Sequence, residues 1–122
     1  MESGSDQDFV HAWRQRQEAL RLTAEAWRHE RLAQARVAAQ ALASFAGVKR
    51  VLLFGSLARG QAGPGSDIDL WVEGLQEADW LDAVRVARQV VDTAEVDIVR
   101  AEWAGPQVAA RATAEGIVLL ER

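Results

Sequence analysis

The first 46 residues carry an apolar pattern with helical spacing. Neither glycine nor proline occurs between residues 5 and 46, and the abundance of alanine, arginine, glutamine, glutamate and leucine is typical of a helix. Trp13, Leu20 and Trp27 recur every seven residues and therefore share one face of that helix. The charged segment RHER allows either one long helix or two helices with a break near it. We expect an N-terminal helical arm over residues 1–46.

The apolar face of this arm has two interpretations, which the pattern alone leaves open. It packs on the chain's own core, or it forms an interface with another molecule. A helix of this length has more apolar surface than a small domain easily covers. A protein partner and a homo-oligomer formed through the N-terminal helix are therefore both expected uses of the tryptophan-bearing face.

Residues 47–122 alternate strand and helix signals and form the second predicted domain. The run KRVLLF predicts a short buried strand that ends at Gly55, and SDIDLWVE alternates with the period of two that strands show. AEVDIVRAE predicts a third strand, and IVLLER predicts an edge strand. Helices are predicted for QEADWLDAVRVARQVVD and for GPQVAARATAEG, which has proline at its start. This order predicts an α+β fold, with a small mixed sheet flanked by helices.

Composition excludes several classes of function. The net charge of −4 gives no basic surface for long nucleic acid. The absence of cysteine excludes disulfides, thiolate catalysis and cysteine-based zinc sites. No apolar run approaches the length of a membrane span, and the polar, acidic N-terminus is unlike a signal peptide. We expect a cytoplasmic protein that binds neither long nucleic acid nor a membrane.

Three aspartates interrupt the predicted strands. Strands disfavour aspartate, and burying a charge is costly unless something pairs with it. The period of two turns Asp67 and Asp69 to the same face of their strand, and Asp97 interrupts the third strand. If the two strands are neighbours, these carboxylates form a three-acid cluster that suits Mg²⁺, which prefers oxygen ligands. The alternative is a set of solvated acids on an exposed sheet face.

A Gly-Ser pair follows the first predicted strand. Gly55 allows the backbone to turn sharply and to approach a ligand closely. We predict one helical turn from Ser56 to Gly60, whose first N–H groups favour a phosphate. Arg59 in the same turn either contacts phosphate or forms a surface ion pair. A phosphate site next to a metal cluster predicts the transfer of a nucleotidyl or phosphoryl group.

The combination of GSLARG, SDIDL and a later VDIV resembles the minimal nucleotidyltransferases of the DNA polymerase β superfamily. The resemblance covers residues 48–122 and implies the nucleotidyltransferase, or polymerase β palm-like, fold. It also implies that a nucleoside monophosphate moves from an NTP, which we expect to be ATP, to a hydroxyl group with two Mg²⁺ ions.

Site roles are implied by the same resemblance. Gly55 and Ser56 would hold the triphosphate, while Asp67 and Asp69 would bind metal. Asp97 would bind the catalytic metal and help to deprotonate the attacking hydroxyl.

A partner is also implied, because such enzymes are often paired with a small helical HEPN protein. In that arrangement the enzyme is an antitoxin that adenylylates a HEPN ribonuclease toxin. Two alternatives stay open at this point. One is a non-catalytic antitoxin or interaction module that blocks its partner by contact. The other is a small-molecule adenylyltransferase similar to the aminoglycoside-modifying enzymes.

Overall fold

The chain alternates helices and strands after one long N-terminal helix. The computed structural model describes residues 2–61, 63 and 65–122, with only the backbone described for residues 2–6. Its α-helices and strands, in chain order, are α1 (Glu2–Leu42), β1 (Arg50–Phe54), β2 (Ile68–Glu73), α2 (Trp80–Val90), β3 (Val96–Arg100), α3 (Pro106–Glu115) and β4 (Ile117–Glu121). Within the described residues, no helix has both the length and the apolar character needed to cross a bilayer.

All four strands form one mixed sheet in the order β3-β2-β1-β4. Strand β1 is antiparallel to both of its neighbours, whereas β2 and β3 are parallel and are connected through α2. The predicted α+β class, the mixed sheet and the edge position of IVLLER are confirmed. Because the crossover through α2 makes β2 and β3 parallel neighbours, both strands begin at the same edge of the sheet.

Both faces of the sheet are covered, so its central strands are apolar on both sides. On one face, α1 and α2 pack against alternate residues of β1, β2 and β3, among them Leu53, Leu70 and Val96. On the other face, α3 packs through Ala112 against side chains that include Trp71. This arrangement explains the continuous apolar run of β1, which would alternate if one face were in water.

Helix α1 is continuous, so the expected alternative of a break in RHER is wrong. The segment contains no glycine or proline, and its Arg31 is buried rather than solvated. Arg31 Nη1 donates to Gln34 Oε1 at 2.8 Å, which satisfies part of the guanidinium on the helix itself. The charge that interrupted the apolar pattern is therefore accommodated without ending the helix.

The two halves of α1 have different surroundings. Every residue from 7 to 26 is exposed. From here on, the arm means this segment, which is shorter than the helical arm predicted over residues 1–46. From Arg31 onward the helix packs in the core, where Ala35, Ala38 and Leu42 are fully buried. Part of the predicted segment 1–46 therefore belongs to the packed body, while the boundary at residue 46 stays a prediction.

Candidate active site

The strand register brings two of the predicted site residues together. Asp69 in β2 is the partner of Asp97 in the parallel strand β3, near the start of both strands. Asp67 lies immediately before β2, at the same edge of the sheet. Phe54, the last residue of β1, pairs with Asp69, so the Gly55–Ser56 turn begins at this edge too. We call it the site edge.

The three acids differ in their exposure to water. Asp69 is half-buried, whereas Asp67 and Asp97 are exposed. Burial, followed by the neighbouring charges of Asp97 and Asp67, raises the pKa of the Asp69 carboxyl above its ordinary value, and the charge of Arg59 opposes that rise. A positive ion at this position would relieve the repulsion that the acids exert on one another.

The chemistry of these side chains suits Mg²⁺, because all three offer only oxygen donors. In the described part of the chain, no three His, Asp or Glu side chains are arranged closely enough to hold a metal ion. Without a cation between them, like-charged carboxylates gain by staying apart. The metal-binding role of Asp67, Asp69 and Asp97 therefore stays a prediction, supported by donor type and by the pairing of Asp69 with Asp97.

The segment after β1 is one hydrogen-bonded turn, closed as in a helix but too short to form a helix element. The N–H of Arg59 donates to the carbonyl oxygen of Gly55 at 3.1 Å. The glycine that ends the GSLARG motif then adopts a φ of +77°, which takes the chain off a helical path. The backbone N–H groups of Ser56, Leu57 and Ala58 have no acceptor among the described residues. Three successive free N–H groups can bind an anion in the same way as a helix N-terminus.

The backbone of Gly55 lies directly against the side chain of Asp69, so this turn is adjacent to the acids. Its φ of +81° lies in the left-handed region that side chains disfavour. A Cβ at this position would overlap the Asp69 carboxylate, so only glycine allows the backbone to lie directly against that acid. The glycine therefore places the free N–H groups of the turn next to the carboxylates.

Arg59 forms an ion pair within the protein. Its Nη1 donates to Glu115 Oε2 at 3.0 Å, and its Nε donates to Gln61 Oε1 at 3.3 Å. Of the two roles predicted for Arg59, the ion pair is observed, and the phosphate contact stays a prediction. Sequence reasoning missed Glu115, because it lies at the end of α3 and no local pattern connects it with a turn 56 positions earlier.

Helix α1 leaves the packed body beside this site. Arg31 Nη1 and Gln34 Nε2 donate to Thr93 Oγ1, at 3.4 and 2.6 Å, in the loop that leads into β3. Arg28 Nε lies 3.8 Å from where a Cβ would stand on Gly60, in the turn after β1. Both contacts belong to segments of the site edge.

The other end of α1 lies at the opposite edge of the sheet. There Lys49 donates from its N–H to the carbonyl oxygen of Glu73 at 2.8 Å, next to the start of β1 and the end of β2. Arg122 Nη2 donates to the carbonyl oxygen of Phe45, just beyond the helix, at 3.0 Å. The helix therefore crosses the sheet from one edge to the other, and the arm continues past the site edge into solvent.

One family model matches most of the chain. The model described as "Polymerase beta, Nucleotidyltransferase" matches residues 38–122, which include the Gly-Ser turn and the three aspartates. The arm lies outside the match. No curated protein sequence matches the chain at a significant level.

Several solved structures share the fold. One is a toxin–antitoxin with AMP-PNP, with 20% identity and a TM-score of 0.62 over 73% of each chain. A second is the complex of tri-AMPylated Shewanella oneidensis HEPN toxin with MNT antitoxin, with 17% identity and a TM-score of 0.50 over 81% of this chain and 73% of that chain. A third, assigned as a minimal nucleotidyltransferase, has 30% identity and a TM-score of 0.54, and the match covers 77% of this chain and 93% of that one.

Proposed function

Because this chain belongs to the polymerase β nucleotidyltransferase family, we propose that it transfers AMP from ATP to a hydroxyl group of a protein acceptor, with Mg²⁺ as cofactor. The observation that carries this proposal is the pairing of Asp69 with Asp97 in parallel strands, beside a turn with free N–H groups. Two carboxylates next to an anion site are what a reaction at a nucleotide phosphate requires.

In this proposal the turn and the acids have separate roles. The N–H groups from Ser56 to Ala58 bind the triphosphate, and Gly55 keeps that phosphate chain close to Asp69. Asp67, Asp69 and Asp97 would hold Mg²⁺, which would supply positive charge to neutralise the phosphates and the departing pyrophosphate.

The bond changes take place at the α-phosphorus of ATP. The acceptor oxygen attacks this phosphorus, the bond to the pyrophosphate oxygen breaks, and the hydroxyl proton passes to the Asp97 carboxylate. Asp97 suits this step because it is exposed, so an acceptor can reach it from solvent. The need for ATP also places the reaction in the cytoplasm.

The proposed partner is a HEPN-type protein, which makes this chain the antitoxin of a toxin–antitoxin pair. Support comes from two proteins of the same fold, one described as a toxin–antitoxin with AMP-PNP and one as an MNT antitoxin with its tri-AMPylated HEPN toxin. AMP-PNP is an ATP analogue, and AMPylation is the addition of AMP. Both descriptions agree with ATP as the donor and a protein as the acceptor.

Replacing the first two acids tests the proposal. The double variant Asp67→Asn, Asp69→Asn should lose transfer of α-labelled AMP to a HEPN-type acceptor by at least about a hundredfold, because a neutral amide binds Mg²⁺ poorly. The matched control is Asp82→Asn, which removes an exposed acid on α2 whose only described partner is Arg85. It should transfer AMP at the wild-type rate.

Two outcomes would contradict this function. Undiminished transfer by the double variant would overturn the metal role of the acids. The second outcome is a wild-type protein that neutralises the toxin but shows no Mg²⁺-dependent affinity for ATP. That result would support the alternative of a non-catalytic antitoxin.

A further inference from the structure

The arm carries an exposed, mainly apolar strip along one side, in which Gln17 is a polar position. At about 100° per residue, Phe9, Val10, Leu20 and Ala24 project within about 60° of the direction of Trp13. Phe9 and Leu20 are 66% and 64% exposed, and Trp13 is 49% exposed. We call these five residues the seam. Nothing in the described part of the chain covers the seam.

The seam continues the face by which α1 packs in the core. Counted in the same way, Arg31, Ala35, Ala38 and Leu42 lie within about 40° of the direction of Trp13. These residues are buried against the rest of the chain. One continuous helix face is therefore covered by the body over its C-terminal part and uncovered along the arm.

The position of the seam connects it with the candidate site. The arm extends about 30 Å beyond the site edge, at 1.5 Å per residue. It leaves the body where Arg28 approaches Gly60 and where Arg31 contacts Thr93. Because the seam faces the same side as the packed face, a molecule bound to it would lie in front of the site edge.

On the arm, the basic side chains lie closer to the seam than the acidic side chains do. Arg14, Arg16 and Arg21 project within about 100° of Trp13, whereas the acids of the arm, Asp8, Glu18 and Glu25, lie at about 120° or more. Arg21 forms ion pairs with Glu18 and Glu25 along the helix surface, and Arg14 and Arg16 have no ion pair among the described residues. The seam therefore has a basic rim.

This basic rim distinguishes between two kinds of occupant. In heptad terms, with Val10 at position a and Trp13 at position d, Arg14 and Arg21 occupy e and Arg16 occupies g. Pairing with a second copy would place arginine against arginine, since g faces the next e in a parallel pair and e faces e in an antiparallel one. A helix with acidic flanking residues would instead meet Arg14 and Arg16, the two arginines without a described ion pair, with an opposite charge.

We propose that the seam binds an amphipathic helix with acidic flanks, carried by the acceptor protein, and so presents the acceptor hydroxyl to the site edge. The role of this helix in the reaction rests on the proposed function, whereas the docking itself does not. The seam lies outside the match to the family model, so it is a feature of this chain beyond the shared catalytic domain.

Binding of designed peptides to the full chain tests the docking surface. The probe is a helical peptide with leucine at its seam positions and glutamate at its flanks, and the control peptide has lysine at the same flanks. Wild-type protein should bind the glutamate peptide at least about tenfold more tightly, because several charge contacts change sign. Equal affinity for both peptides would overturn the proposed chemistry of the partner.

Matched substitutions on the arm separate the seam from the rest of the helix. Leu20→Glu should weaken binding of the glutamate peptide by about tenfold or more, because it removes an apolar contact and adds a repelling charge. Leu22→Glu makes the same change two residues away, where Leu22 is 52% exposed and points about 180° from Trp13. It should leave affinity unchanged. Equal losses for the two variants would contradict a docking seam.

Two further measurements distinguish the remaining outcomes. A wild-type dimer in sedimentation that Leu20→Glu dissociates would show a second copy on the seam and would overturn the proposal.

The Asp67→Asn, Asp69→Asn variant should bind the peptide like wild type while failing in AMP transfer. Leu20→Glu should bind ATP with Mg²⁺ like wild type, yet label a HEPN-type acceptor at least about tenfold less. Failure of the catalytic proposal is thereby separated from failure of the seam.

Discussion

The two halves of α1 share one helix face but differ in what lies opposite that face and in the size of its side chains. The packed half buries mostly alanines, with Leu42 as its largest fully buried side chain. The arm carries Trp13 and Leu20 on the same face, with more apolar area per residue, and leaves them in water. Small side chains allow a helix to lie close to α2 and the sheet, while large ones suit contact with a separate helix. Burial therefore follows the presence of a complementary surface.

Hydrogen exchange should show the largest difference between the halves. The arm is a solvent-exposed helix whose described ion pairs are those of Arg21, and it lacks the tertiary packing that gives most helices in proteins their stability. Amides of residues 7–26 should exchange faster than those of β1 by roughly a thousandfold or more, because β1 opens only on global unfolding. Adding the glutamate peptide should slow exchange in the arm alone. Equal protection of arm and β1 in the isolated, dilute chain would show that the arm is already covered.

One substitution made in both halves should separate them next. Leu42→Ala removes a fully buried side chain and should lower the free energy of unfolding by about 2–5 kcal/mol. Leu20→Ala removes an exposed one and should change it by less than about 0.5 kcal/mol. Urea denaturation of the two variants measures both values. A large loss for Leu20→Ala would mean that the seam already packs on something in the purified protein.

The smallest expected difference concerns two acids, Asp69 at the site edge of the body and Glu18 on the arm. Since its pKa is raised in the folded state, ionised Asp69 opposes folding, and its unfavourable contribution grows as pH rises from the ordinary aspartate pKa through the raised value. Asp69→Asn should therefore raise the melting temperature in metal-free buffer at neutral pH, and the gain should disappear on acidification. Mg²⁺ with ATP should stabilise wild type and not this variant.

Glu18 on the arm provides the comparison for Asp69. Hydrogen bonding to Arg21 lowers the pKa of Glu18, so its contribution is present at neutral pH and is lost on acidification. The group is fully exposed, and Glu18→Gln should leave the melting temperature unchanged within error. A melting temperature for Asp69→Asn that falls at neutral pH would contradict the account of repulsion at the site edge.

Local sequence patterns predicted the strands and the family correctly. The runs KRVLLF, SDIDLWVE and AEVDIVRAE became β1, β2 and β3, because alternation and apolar runs follow from neighbours within a few residues. The resemblance carried by GSLARG, SDIDL and VDIV is confirmed by the family match. The predicted helical turn from Ser56 to Gly60 is present as one hydrogen-bonded turn, which the left-handed glycine at the end of the motif terminates.

The sequence by itself determined which residues are the candidates for chemistry: a glycine with unrestricted φ, a turn with free N–H groups, and aspartates set into apolar strands. Tertiary structure alone decided which of them meet. The parallel register of β2 and β3 sets Asp69 beside Asp97, and Glu115 reaches Arg59 across the fold. Tertiary structure also decided that the apolar face of α1 is covered by the body over its C-terminal half and exposed along the arm. Local backbone and side-chain preferences act over a few residues, whereas contact and burial depend on surfaces brought together from distant parts of the chain.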